Sequence, residues 1–220
     1  MKQNKAYIIG VTGGIGSGKS YVLDYLNNQY NALIIKADDI GNDVKLRGRE
    51  CYDDIVSLLG EDILGDDLEI DKKLMAEKIF SDSSLKEKVN AVIHPAVKKC
   101  IKNSIAFNNE KYRYILIEAA LLCEDNYFDI LNELWEIRSD IDIRIKRLMD
   151  SRSYSLDKCK KIIANQNDSS YIQKKNDDYM KSTDREDYYG LTVIDNNSDF
   201  DSLKKKLDEV MEVIDERIGN

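Results

Sequence analysis

Residues 13–20 read G-G-I-G-S-G-K-S. Gly13 is followed, after four intervening residues, by Gly18, Lys19 and Ser20. That is the spacing G-x-x-x-x-G-K-[ST] of a phosphate-binding loop. The chemistry needs those residue types. Glycines let several backbone N–H groups converge on one anion and let the anion approach closely. A helix starting near Lys19 aims its positive dipole end at the same point. The Lys19 ammonium can reach β- and γ-phosphates, and the Ser20 hydroxyl can ligate Mg²⁺. The motif specifies a nucleoside triphosphate and leaves the fate of its third phosphate open.

Other residues could complete such a site. Asp38 and Asp39 follow an apolar run, and a carboxylate there could accept the proton of a hydroxyl attacking the γ-phosphate. Either could equally cap the next helix. Glu118 ends another apolar run; it could hold Mg²⁺ or face solvent, and the apolar residues on both sides of it predict burial, which would require a partner. Arg144 and Arg147 share a helix face, with Arg152 beyond them, and guanidinium groups stabilise charge spread over a transferring phosphoryl group. The alternative for each is a solvated surface charge. His94, the only histidine, precedes the only proline, Pro95. It reads as a structural or substrate-contacting residue, because nothing near it in sequence resembles a triad.

The elements that must position these residues are legible. Residues 7–11, 32–35, 114–118, 134–137 and 191–194 are short apolar runs, as expected of strands buried on both faces. Helical spacing appears in 20–28, 141–151, 155–165 with Ser155 as N-cap, and 200–218. Residues 40–109 carry only helical periodicity, with a stretch at 89–106 interrupted by His94-Pro95. Residues 166–190 are polar, rich in Asp, Lys and Tyr, and give no clear periodicity. Strands alternating with helices predict an α/β fold with a parallel sheet. With the loop after the first strand, this is the P-loop NTPase fold: about five strands flanked by helices, with a helical insertion.

Composition excludes several classes. A net charge of −8 argues against nucleic acid or an anionic membrane as the main partner. No apolar run is long enough to span a bilayer, and the N-terminus lacks the features of a signal peptide. The four cysteines form no C-x-x-C pair, so they read as reduced thiols in a cytoplasmic protein and not as a zinc site.

The ordered set of motifs resembles the dephospho-CoA kinase family from Ile8 to about Leu207. The strings are T-G-G-I-G-S-G-K-S ending at Ser20, Ala37-Asp38, His94-Pro95 and I-E-A-A-L-L-C-E starting at Ile117. They continue with R-L-M-D-S-R from Arg147 to Arg152, Gln166, and I-D-N ending at Asn196. The resemblance implies transfer of the γ-phosphoryl of ATP, with Mg²⁺, to the 3′-hydroxyl of dephospho-CoA. It implies a nucleotide-binding core (1–39, 111–147, 191–220), a helical region for the CoA substrate (40–110) and a lid (148–190). By position, Asp38 is the implied general base, with Lys19 and Arg152 as its catalytic partners. Gly14, Ile15, Gly16, Ser17, Gly18, Lys19, Ser20 and Tyr21 are the implied ATP-binding loop, joined by Arg147 and by Asn196 beside the adenine. Ser20 is the implied metal ligand, and His94 and Glu118 join Asp38 on the substrate side.

The chain departs from the family pattern in places. Lys36-Ala37-Asp38 stands where D-x-D is common, Glu118-Ala119-Ala120 where D-x-P is common, Arg152-Ser153 where R-G is common, and Tyr21 where Thr is common. The stretch 166–194 is longer than expected by roughly ten residues, a change that costs little in a loop. The readings kept beside this one are a P-loop kinase for another nucleotide or nucleoside, and a regulatory NTP-binding switch. A guanine-nucleotide switch would carry D-x-x-G and N-K-x-D, and neither string occurs.

Overall fold

The computed structural model describes residues 5–219. Among these residues, five strands form one sheet in the order β2-β3-β1-β4-β5. They are β1 (Tyr7–Thr12), β2 (Leu33–Lys36), β3 (Tyr114–Glu118), β4 (Glu133–Arg138) and β5 (Leu191–Asp195). β1 pairs in parallel with β3 and with β4, and β4 in parallel with β5. The central strands are apolar along most of their length because both faces are covered. Residues Ile9, Val11, Ile115, Leu116, Leu134 and Trp135 have no measurable exposure. The register sets Val11 beside Glu118 on one side and Thr12 beside Glu136 on the other, so two carboxylates flank the end of β1.

The chain divides into two compact units. One comprises residues up to Ile35 and from Asn108 onward; the other is Lys36–Phe107. In the sheet-bearing unit, α1 (Lys19–Tyr30) buries Val22, Leu23 and Leu26, and α9 (Phe200–Ile218) buries Leu203, Leu207, Met211 and Ile214. These side chains share one cluster with Trp135 and Ile137. α6 (Ile141–Arg152) follows β4, and α7 (Leu156–Ala164) starts at the predicted cap, where Ser155 Oγ accepts the Lys158 N–H. α8 (Ser169–Ser182) lies in the stretch that showed no periodicity. Only Ile172 and Asn176 of α8 are buried, so its sequence has almost no apolar stripe. Tertiary contacts hold it: the Tyr188 hydroxyl donates to Asn176 Oδ1 at 2.7 Å, and Phe128 stacks on Tyr179.

The second unit holds α2 (Ala37–Asp43), α3 (Tyr52–Leu59), α4 (Lys72–Ser81) and α5 (Ser83–Asn108). α5 corrects the expected interruption at His94-Pro95, since it runs unbroken with Pro95 inside it. Proline removes one N–H, leaving the Ala91 carbonyl without its helical donor. The helical residues on both sides, with Val89, Val97 and Ile101 buried, outweigh that loss. Residues 40–109 are also not purely helical: Leu64 and Ile70 form an antiparallel bridge around a turn at Gly65.

At the amino ends of the strands a carboxylate is buried. Glu133 is 1% exposed. Its Oε2 accepts from the Tyr7 hydroxyl at 2.8 Å and from Arg217 Nη1 at 2.9 Å, and its Oε1 accepts from the Thr192 hydroxyl. Those bonds tie β1, β5 and the end of α9 to β4. Glu133→Ala strands a buried hydroxyl and a cation, and is expected to cost about 2–3 kcal/mol. The cost stays below that of a fully buried pair because the Arg217 side chain is 33% exposed. Urea unfolding followed by the fluorescence of Trp135, the sole tryptophan, measures it.

Tyrosines form a second set of anchors. Tyr25 and Tyr30 both donate to Asp208 Oδ1, at 2.7 and 2.6 Å. Burial, and then the bond to Asp208, pushes Tyr25 up to about 12. Burial also pushes Tyr127 up to about 12 and moves Tyr30 and Tyr114 above the ordinary phenol range. The unfolded chain therefore ionises first. This contribution to stability is complete below about pH 10 and is lost as pH climbs through the raised values. The urea midpoint should fall steadily from pH 9.5 to about 12; an unchanged midpoint would show that the phenols titrate normally.

Candidate active site

The site is built where β1 turns into α1. Gly18 caps α1 with φ +97°, a left-handed conformation, and a Cβ there would run into the Asn196 amide. A Cβ on Gly14 would overlap the Arg144 guanidinium. At Gly18 the backbone itself favours glycine, whereas at Gly14 the absence of a side chain makes room for the Arg144 guanidinium.

The carbonyls of the loop are held from behind. Ser17 O accepts from Asn196 Nδ2 at 2.8 Å and from Arg147 Nη1 at 3.3 Å, with Ser139 Oγ at 3.2 Å. Arg147 Nη1 also reaches Gly16 O at 3.4 Å and Ser139 Oγ at 3.0 Å, while its Nη2 donates to Asn196 O at 3.1 Å. Ser139 Oγ donates to Asn196 O at 2.6 Å. At the loop apex, Arg144 Nε donates to Ile15 O at 2.9 Å. Burial pulls both guanidinium groups below their ordinary range, yet an arginine so placed stays cationic. These bonds fix the loop carbonyls of Ile15, Gly16 and Ser17, and a fixed glycine-rich loop at the start of a helix is the arrangement that binds phosphate.

In front, a cavity of about 240 Å³ is lined by Gly18, Lys19, Ser20, Glu118, Arg147 and Arg152, among others. The Lys19 ammonium donates to Gly13 O at 2.8 Å. Ser20 is exposed and Glu118 half-buried. The expectation of a buried Glu118 is corrected, because the last residue of β3 reaches this cavity. A second cavity of about 600 Å³ is lined by Thr12, Gly13, Glu136, Arg138, Arg144 and the 165–169 turn, among others. Glu136, 4% exposed, accepts from Arg138 at 3.1 Å and from the Ser169 hydroxyl.

A scan against family models matches residues 7–186 to dephospho-CoA kinase. The chain belongs to the dephospho-CoA kinase family. A dephospho-CoA kinase of Oceanobacillus iheyensis is 30% identical over 206 residues, covering 93% of this chain and 96% of its own. One of Moorella thermoacetica is 34% identical over 154 residues, covering 68% and 71%. The solved structure of a dephospho-CoA kinase from Campylobacter jejuni shares the fold, with a TM-score of 0.62 at 21% identity over 94% of this chain and 96% of that one. The family is one of ATP-dependent phosphotransferases. Among the described residues, no helix is long and apolar enough to cross a membrane.

For this dephospho-CoA kinase family member, the structure gathers Lys19, Ser20, Glu118, Arg147 and Arg152 around one cavity. Asn196 is 2% exposed, and its amide is turned onto the loop. The Tyr21 ring stacks on Phe200 at 4.2 Å. Asp38 and His94 belong to the helical unit, on α2 and α5. The alternative that Asp38 or Asp39 caps the next helix is corrected. The cap of α2 is Lys36, so Asp38 and Asp39 occupy its first turn, where the helix dipole favours carboxylates. In the sheet, β3 stands between β1 and β2.

Ser139 and the anchoring roles of Arg144 and Gln166 were not legible in the sequence. Their partners lie 122, 129 and 151 residues away. Arg147 offers the sharpest test of the scaffold. Lysine cannot span Ser17 O, Ser139 and Asn196 together. Arg147→Lys is expected to cost about 1–3 kcal/mol and to speed hydrogen exchange of the loop amides. Thermal unfolding and exchange mass spectrometry without nucleotide would read both.

Proposed function

We propose that this chain transfers the γ-phosphoryl group of ATP to the 3′-hydroxyl of dephospho-CoA, giving CoA and ADP. The observation that carries the reading is the cavity at the phosphate loop that Lys19, Ser20, Glu118 and Arg152 line together, in a chain of this family. The loop amides wrap the phosphates. Lys19 exchanges the Gly13 carbonyl for the phosphates, and Arg152 adds positive charge where negative charge spreads during transfer. Arg147 and Asn196 act by positioning, since both donate to loop carbonyls and Arg147 also donates to Asn196.

The donor set fits Mg²⁺. A hydroxyl (Ser20) and a carboxylate (Glu118) are hard oxygen ligands, and the ion keeps phosphate oxygens and water for its remaining positions. Among the described residues no cluster of three or more His, Cys, Asp or Glu forms a protein-only cage, which agrees with a metal that arrives with the nucleotide. Bound there, it would neutralise phosphate charge.

Asp38 is the proposed general base. It follows the carboxyl end of β2 by two residues, the end of a strand where such sheets bind ligands. It takes the proton of the 3′-hydroxyl as that oxygen attacks the γ-phosphorus. The helical region 40–110, with His94, is the proposed seat of the CoA portion, and residues 148–190 the proposed lid that excludes water as a competing acceptor. The proposed setting is the cytoplasm, where the four unpaired cysteines remain reduced.

Purified protein with ATP, Mg²⁺ and dephospho-CoA should form CoA, with nucleosides and nucleoside monophosphates poor acceptors. ATP turnover indifferent to dephospho-CoA would overturn the assignment. Asp38→Asn should lower kcat by about 10²–10⁴; a near-normal rate would leave Asp38 only its place in the first turn of α2.

A further inference from the structure

An oxygen already sits at the apex of the loop. Gln166 Oε1 accepts the Ile15 N–H at 2.9 Å and Arg144 Nη2 at 2.6 Å. Arg144 is fixed for this by donating Nε to Ile15 O at 2.9 Å. A phosphate-loop N–H and a guanidinium aimed at one point are the donors that recognise a phosphate oxygen. A neutral amide oxygen is the weaker acceptor for such a pair. The turn carrying Gln166 has further ties: Asn167 donates to Glu124 and Ser169 to Glu136.

We propose that the Ile15 N–H and the Arg144 guanidinium form a subsite for an ATP phosphate oxygen, and that Gln166 is its built-in competitor. ATP displaces the Gln166 amide, and the displacement loosens the turn between α7 and α8. A site occupied by its own chain binds more weakly in proportion to the fraction of molecules in which it is open. Gln166 thereby lowers apparent ATP affinity and couples nucleotide arrival to release of the turn. The inference rests on the kinase reading only in taking ATP as the ligand.

Calorimetric titration of the full chain with ATP and Mg²⁺, without acceptor, tests it. Gln166→Ala should tighten binding about five-fold, the scale of a competing hydrogen bond removed. Gln166→Glu should weaken it about ten-fold or more, because a carboxylate holds Arg144 more strongly than an amide does. In an Arg144→Ala background the gain from Gln166→Ala should shrink to below about two-fold, since the two residues share one subsite. In the unaltered protein, ATP should speed hydrogen exchange across residues 165–169. Weaker ATP binding by Gln166→Ala would make Gln166 a nucleotide ligand and overturn the proposal. Unchanged affinity with a lower melting temperature would reduce it to a structural contact and overturn it likewise. Failure of the unaltered protein to bind ATP would sink the kinase reading itself, an outcome distinct from ATP binding that Gln166→Ala does not tighten.

Discussion

The carbonyl of Ser17 is the contact on which the site depends. It accepts from Asn196 at the end of β5 and from Arg147 on α6, with Ser139 after β4 alongside. A peptide group has two ends. Holding its oxygen from behind helps point the neighbouring N–H groups toward the phosphate. The free energy of ordering a glycine-rich loop is thereby met during folding and not at the moment of binding, which is what preorganisation means for an electrostatic site.

Two arginines three residues apart on α6 divide this task. Arg147 reaches the back of the loop at Gly16 and Ser17, and Arg144 reaches its apex at Ile15. Their spacing puts both on one helix face. Each gives up hydration in doing so, and that burial lowers both guanidinium groups from their ordinary range. Ser17 Oγ has no partner among the described residues, so the packing that secures the loop leaves a buried hydroxyl unsatisfied. Such a residue marks a place where geometry at the site outweighs local hydrogen-bond satisfaction.

Stability and chemistry occupy opposite ends of the sheet. At the carboxyl ends, Glu118 and Glu136 flank β1 and border cavities. At the amino ends, Glu133 is sealed by Tyr7, Thr192 and Arg217. The anchors that resist unfolding therefore lie away from the residues that meet ligand. The loop region can adjust while the amino-terminal ends of the strands hold β1, β4, β5 and α9 together.

The sequence by itself determined the strands, the loop and the family. β3 and α9 fall on the expected residues, because continuous apolar runs and helical stripes are local patterns of burial. The loop was legible because phosphate binding demands glycine, lysine and serine at fixed spacing. Tertiary structure alone decided the rest. α8 has too few apolar residues to announce itself, and α5 passes through Pro95 because its flanking residues are buried. The placement of β3 between β1 and β2 is a matter of strand order, on which strand sequences are silent. Ser139 gained its role from a partner more than a hundred residues away, with no sign of it in the chain, and Asn196 and Gln166, which the motifs marked, owe their loop contacts to partners equally distant.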